Sequence, residues 1–186
     1  LYRLTRKSPE EYRVSLRCIQ LNPFMLRQII TNGLPAGIQN SVISIANVFI
    51  QSNINSFGKI AMAGCGAYSK VEGFAALPVT CFSMALTTFI SQNLGAGKYD
   101  RVKKGAQFGV LCGMTLTELI GLVLYVTMPV LISFFNNDPE VIAYGTKQAH
   151  IITPFYFLMA YSHCTAGIMR GAGKSSVPMF VMLLCW

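Results

Sequence analysis

Eight of the 22 charged side chains fall in residues 1–27, leaving 14 for the other 159 positions. So few charges cannot cover a surface that faces water. A soluble domain carries about 25% Asp, Glu, Lys and Arg, against 12% here. With 53% hydrophobic residues and a mean hydropathy of +0.48, the pattern excludes a disordered chain, a nucleic-acid-binding module and an ordinary soluble enzyme. Lipid is the solvent that suits most of this sequence.

Four apolar stretches are long enough to cross a bilayer: residues 28–56, 61–90, 105–135 and 141–169. Each would make some 45 Å of helix at about 1.5 Å per residue, more than a hydrocarbon layer of roughly 30 Å. Tilt or kinks are therefore expected, and Pro35, Pro78, Pro129 and Pro154 all fall inside the spans. A fifth apolar run, 177–186, is shorter than the ~20 residues a crossing needs. That run, and a start at Leu1, suggest a piece of a larger membrane protein. Short connections at 57–60, 91–104, 136–140 and 170–176 imply antiparallel neighbours. The expected fold is an all-α, polytopic membrane bundle occupying residues 28–186, with four full crossings and the start of a fifth.

Residues 1–27 read as a basic linker. Ser8-Pro9-Glu10-Glu11 has the form of a helix start. Tyr12, Leu16 and Ile19 recur at helical spacing beside Arg13 and Arg17, and Leu21-Asn22-Pro23 closes the segment. A short amphipathic helix on the membrane surface and a solvated linker both fit. Of the 15 Lys and Arg residues, 12 fall in this segment, in the second connection and in the fourth, which includes Arg170 and Lys174. Positive loops stay cytoplasmic, so the amino-terminal segment is expected inside a multi-pass cell-membrane protein. The net charge of +8 then needs no anionic partner.

The polar residues inside the spans are the candidates for chemistry. Asn40, Ser44, Asn47, Gln51 and Asn55 are spaced 4, 3, 4 and 4, an arc of roughly 80° on a helix. Amides are costly in hydrocarbon, so the stripe faces either a solvated pathway or a hydrogen-bonded helix interface. Glu72 and Lys70 lie two residues apart and point in nearly opposite directions. Glu118 lies mid-span as a proton or cation site or a buried hydrogen-bonded acid. Gly105, Gly109, Gly113, Thr117 and Gly121 form a small-residue seam suited to close helix packing. Tyr156 and His163 share a face of the fourth span, where a histidine is either structural or titratable. The six cysteines show no paired spacing, and neither a metal cluster nor a Ser/His/Asp set is present. Gly173-Lys174-Ser175 resembles the end of a phosphate-binding loop, but Ile168 stands where that loop needs its first glycine. No enzyme activity and no cofactor are expected.

Several motifs together resemble the carboxy-terminal half of the multidrug and toxic-compound extrusion (MATE) transporters. They are Gly33-Leu34-Pro35, Phe57-Gly58, Leu77-Pro78, Gln92-Asn93-Leu94-Gly95-Ala96-Gly97-Lys98 with Arg101-Val102, and Arg170-Gly171-Ala172-Gly173 with Pro178. The resemblance implies helices 7 to 10 and the start of helix 11 of a two-lobed, twelve-helix carrier, with residues 1–27 joining it to a missing amino-terminal lobe. It implies export of organic cations or amphipathic drugs in exchange for protons or sodium, the coupling ion being the only cofactor-like species. Some members carry a coupling carboxylate on the helix matching residues 28–56, where this chain has no acid. Coupling then falls to Glu72, to Glu118, or to the missing lobe, which is favoured. A lipid-linked oligosaccharide flippase is the alternative within transport, and a membrane-embedded sensor or assembly scaffold the alternative outside it.

Overall fold

The computed structural model describes residues 22–185, so the surface helix expected from Ser8 lies outside the described residues. Six helices follow in order: α1 (Pro23–Ser56), α2 (Lys59–Gly95), α3 (Tyr99–Ser133), α4 (Pro139–Ile152), α5 (Tyr156–Gly171) and α6 (Ser176–Cys185). A single 3-10 turn, Thr153–Phe155, joins α4 to α5. The described residues are helical throughout apart from the short connections. The first three helices have 34, 37 and 35 residues and are apolar enough to cross a membrane. The bundle is thus an all-α membrane fold.

Two boundaries differ from expectation. Asn22-Pro23 starts a helix: Asn22 Oδ1 accepts from the N–H groups of Phe24 and Met25 at 3.0 and 3.4 Å, and Pro23 sits at the first helical position. The linker therefore gives way to α1 before residue 28. The second connection is three residues, not fourteen, because α2 runs to Gly95 and α3 begins at Tyr99. The reversal works because Gly97 takes φ of +69° and the Lys98 N–H closes on the Asn93 carbonyl at 2.9 Å. That is the six-to-one bond of a helix C-cap with glycine in the left-handed region.

The third difference matters most. The fourth span is two helices, since Pro154 cannot supply the N–H that the His150 carbonyl would receive in a continuous helix. The ladder tightens into the 3-10 turn there and restarts at Tyr156. Pro35, Pro78 and Pro129 lie inside unbroken helices.

Helix α2 is the centre of the bundle, packed against α3, α4 and α5, while α1 pairs mainly with α6. The core joins Ala67, Tyr68, Val71 and Ala75 of α2 to Leu124, Met128 and Ile132 of α3, with Ala149 and Tyr156. Glycines set the spacing. A β-carbon on Gly145 would lie 2.8 Å from the Gly64 carbonyl oxygen, and one on Gly121 would lie 2.9 Å from that of Thr153. The α3 seam packs as its spacing predicts, with Gly113 against Cys164 and Gly121 against the turn. Large apolar side chains such as Phe74, Val126 and Leu184 remain exposed, as lipid-facing residues do.

Candidate functional site

The polar part of the bundle lies where α2 meets α5. Gly167 and Gly171 are four residues apart on α5 and face α2. A β-carbon at either would sit 2.6 Å from a backbone oxygen of α2, that of Ser83 or that of Thr87. Their absence of side chains brings the two backbones into hydrogen-bonding range. Ser83 Oγ donates to the His163 carbonyl at 2.8 Å, and Thr87 Oγ1 donates to the Gly167 carbonyl at 2.9 Å. Arg170 Nη2 donates to Ser83 Oγ at 3.0 Å. A helix side chain leans toward the helix N-terminus, so an arginine in the last turn of α5 reaches back into the bundle. Ser83 is 12 residues from the Gly95 end of α2, about 18 Å along the axis.

Around this contact opens a cavity of about 750 Å³, bounded by α1, α2, α5 and α6. Gln39 and Asn40 line it from α1, Thr80, Ser83 and Thr87 from α2, and His163 and Arg170 from α5. Gln39 is the one buried residue of α1 among those described. A different hollow, of about 450 Å³ between α2 and α3, is an apolar groove lined by Val71, Phe74, Leu124 and Leu131.

A second cluster lies further along α2. The buried Tyr68 hydroxyl donates to Glu72 Oε1 at 3.2 Å and lies 3.2 Å from the Tyr156 hydroxyl. A phenol has one proton, so when Tyr68 donates to Glu72 it accepts from Tyr156. The three groups form a directed chain from α5 to the half-buried carboxylate. Lys70 takes no part; its ammonium lies 5.8 Å from the Phe135 ring centroid.

Two further ionisable residues serve the backbone. Glu118 Oε2 accepts from the Phe157 N–H at 3.0 Å, in the first turn of α5. That N–H has no partner within its own helix because α5 has just begun, so a carboxylate from α3 caps it and meets the positive end of its dipole. His150 Nε2 lies 3.0 Å from the Tyr125 carbonyl, and the two rings stack at 4.1 Å. The Tyr125 carbonyl is the one that Pro129, four residues on, leaves free. A carbonyl only accepts, so Nε2 carries the proton.

The MatE family model matches residues 35–186. The chain belongs to the MatE family. Among relatives, the Bacillus subtilis probable multidrug resistance protein YoeA is 22% identical over 184 residues, covering 98% of this chain and 40% of that protein. The probable multidrug resistance protein YpnP of the same organism is 30% identical over 145 residues, 78% of this chain and 33% of that one. A solved MOP superfamily transporter from Pyrococcus furiosus shares the fold, with a TM-score of 0.79 at 18% identity over 84% of this chain and 35% of that one. The chain thus spans less than half the length of these relatives.

On this MatE bundle the sequence candidates separate into groups. Asn40 and His163 meet at the cavity, whereas Ser44, Asn47, Gln51 and Asn55 line an exposed face of α1 with no other described helix over it. Ser44 satisfies itself on the Asn40 carbonyl at 2.9 Å, and Gln51 Nε2 donates to Asn55 Oδ1 at 2.9 Å. Glu72 and Tyr156 meet through Tyr68, one turn before Glu72 on the same face of α2. Tyr156 and His163, expected on one face, part ways: Tyr156 is 1% exposed in the core, and His163 is exposed at the cavity. Arg170 was expected to be a loop charge that sets orientation, and its side chain instead enters the cavity. Its position three residues after Gly167, within Gly-x-x-x-Gly, was the available signal. No cluster able to hold a metal exists among the described residues.

Proposed function

We propose that this chain contributes one lobe of a secondary transporter that exports amphipathic small molecules in exchange for protons or sodium. The reading rests above all on the polar cavity between α1, α2, α5 and α6. A scaffold or sensor needs packed faces only, and buried polar surface in a membrane is costly unless water or a ligand uses it. The uncovered stripe on α1 supports the same reading, since Asn47, Gln51 and Asn55 need an aqueous or protein surface and not acyl chains. In the full protein that surface is the interface with the amino-terminal lobe, across which two bundles rock about a midplane site. The amino-terminal segment is cytoplasmic by the distribution of its basic residues.

Coupling belongs to a carboxylate that is free to change its proton or its cation. Glu118 is committed to capping α5, so within this chain the role falls to Glu72, and the amino-terminal lobe is the other source. An organic cation would find its counter-charge at Glu72, because no carboxylate lines the cavity among the described residues. The test uses the full-length protein with single cysteines at positions 40, 44, 47, 51 and 55. A small water-soluble thiol reagent should label them, and a transported dye should protect the position nearest the cavity, 40. Uniform protection without dye, together with no dye export from cells, would favour a scaffold.

A further inference from the structure

Resting on the efflux reading, we infer that the α1–α2–α5–α6 cavity receives an anionic group, a carboxylate, sulfonate or phosphate, on an amphipathic ligand, and that Arg170 is the residue that binds it. Among the described residues the cavity holds one fixed charge, and it is positive. The nearest acid along α2, Glu72, is 11 residues from Ser83, about 16 Å along the axis, and is held in the tyrosine chain. Arg170 has not moved toward the headgroups as a merely tolerated arginine does. It is half-buried and turned about 18 Å inward from the Gly95 end of α2.

The hydrogen bonds around Arg170 leave its donors available. Ser83 Oγ accepts one guanidinium N–H and gives its own proton to the His163 carbonyl. Thr80 and Thr87 spend their hydroxyl protons on helix carbonyls. The donors that remain to meet a ligand are the rest of the guanidinium fork, the amides of Gln39 and Asn40, the Ser162 hydroxyl and the His163 ring. A planar fork with several N–H groups suits two oxygens of one anionic group. A cation placed here would meet Arg170 as a like charge in a poorly screened setting. The apolar body of the ligand has Ile43, Met84 and Met182 on the same walls, and methionines adapt to varied shapes.

The experiment compares two xanthene dyes of opposite charge, anionic fluorescein and cationic rhodamine 123, by fluorescence anisotropy on the full-length protein in nanodiscs. Fluorescein should bind the wild type. Arg170→Gln should weaken it about tenfold or more, the loss of a charge-assisted pair, and shift the affinity ratio toward rhodamine 123. Arg170→Lys, which keeps the charge without the fork, should recover part of the loss. Thermal unfolding of each variant identifies any that fails to fold. Equal weakening of both dyes in a folded Arg170→Gln protein would make Arg170 a packing residue and overturn the assignment. So would fluorescein that does not bind, or binds without regard to residue 170.

Discs of phosphatidylcholine, alone or mixed with phosphatidylglycerol, separate the two sources of such a group. Fluorescein binding that phosphatidylglycerol suppresses only when Arg170 is present identifies a lipid headgroup phosphate, and indifference identifies a soluble anion; the site stands either way. Cells separate this inference from the efflux reading. Export of rhodamine 123 with no fluorescein binding removes the anion site alone. Fluorescein binding that depends on Arg170, in cells that export neither dye, removes the efflux reading alone.

Discussion

Gly167→Ala should be among the costlier single-methyl changes in this bundle. The added carbon would lie 2.6 Å from the Ser83 carbonyl oxygen and 2.8 Å from Ser83 Oγ. The first is backbone and the second is held by the His163 carbonyl and Arg170, so α5 must retreat from α2. Relieving such overpacking costs about 1–3 kcal/mol. The retreat also stretches the Ser83–His163 and Thr87–Gly167 hydrogen bonds, each worth about 0.6 kcal/mol in a membrane protein. Alanine recovers up to about 1 kcal/mol of helix propensity, which leaves a net destabilisation of about 1–3 kcal/mol. The assay is SDS-driven unfolding of the full-length protein in mixed micelles, followed by intrinsic fluorescence. Gly66→Ala on α2 is the control, because a β-carbon there meets nothing within 4 Å, and it should be neutral or slightly stabilising. If Gly167→Ala and Gly66→Ala unfold within about 0.5 kcal/mol of each other, the close approach of α2 and α5 is not what holds this interface.

Glu72→Gln keeps the shape of the side chain and its contact with Tyr68. It should leave thermal unfolding of the full-length protein nearly unchanged while reducing export of a cationic dye about tenfold, and unchanged export would remove Glu72 from the transport step. Glu118→Gln should behave in the opposite way. It weakens the cap on the Phe157 N–H by about 0.5–2 kcal/mol, read in the same unfolding assay, with export per folded molecule retained. His150→Leu leaves the Tyr125 carbonyl without a donor and should destabilise by about 1–3 kcal/mol, whereas His150→Gln, which can still donate, should cost less.

The long spans were legible because hydropathy and the scarcity of charge leave few alternatives for residues 28–135. The α3 seam and the turn at Gly97 were legible for a local reason, since small-residue spacing and a left-handed glycine carry their meaning without a partner. The break at Pro154 was not. Pro35, Pro78 and Pro129 are equally internal, yet their helices continue, and what separates Pro154 is tertiary. Gly121 lets α3 approach the turn, and Glu118 then caps the first turn of the helix that restarts. Arg170 was misread for a similar reason. By position it is an end-of-helix basic residue like those that set orientation, and only the approach of Ser83, made possible by Gly167 and Gly171, turns it inward. The stripe on α1 was legible as polar, but its partner is not among the described residues.

Once the backbone is satisfied, the ionisable groups inside the bundle no longer look alike. Proline 129 frees a carbonyl, and His150 donates to it. The break at Pro154 starts a helix whose Phe157 N–H needs an acceptor, and Glu118 provides it. Both residues sit where a membrane offers no water to do the same job, so removing either exposes a bare backbone group. Among the described residues the side chains of Glu72 and Arg170 make no hydrogen bond to the backbone. Glu72 meets two tyrosine hydroxyls in series, and Arg170 meets a serine hydroxyl at the edge of a cavity. A charge held only by neutral side chains keeps more of its capacity to bind a proton, an ion or a ligand than one fixed to the peptide backbone. Glu72 precedes Pro78 on α2, Arg170 of α5 meets α2 at Ser83 beyond that proline, and the two carry opposite signs.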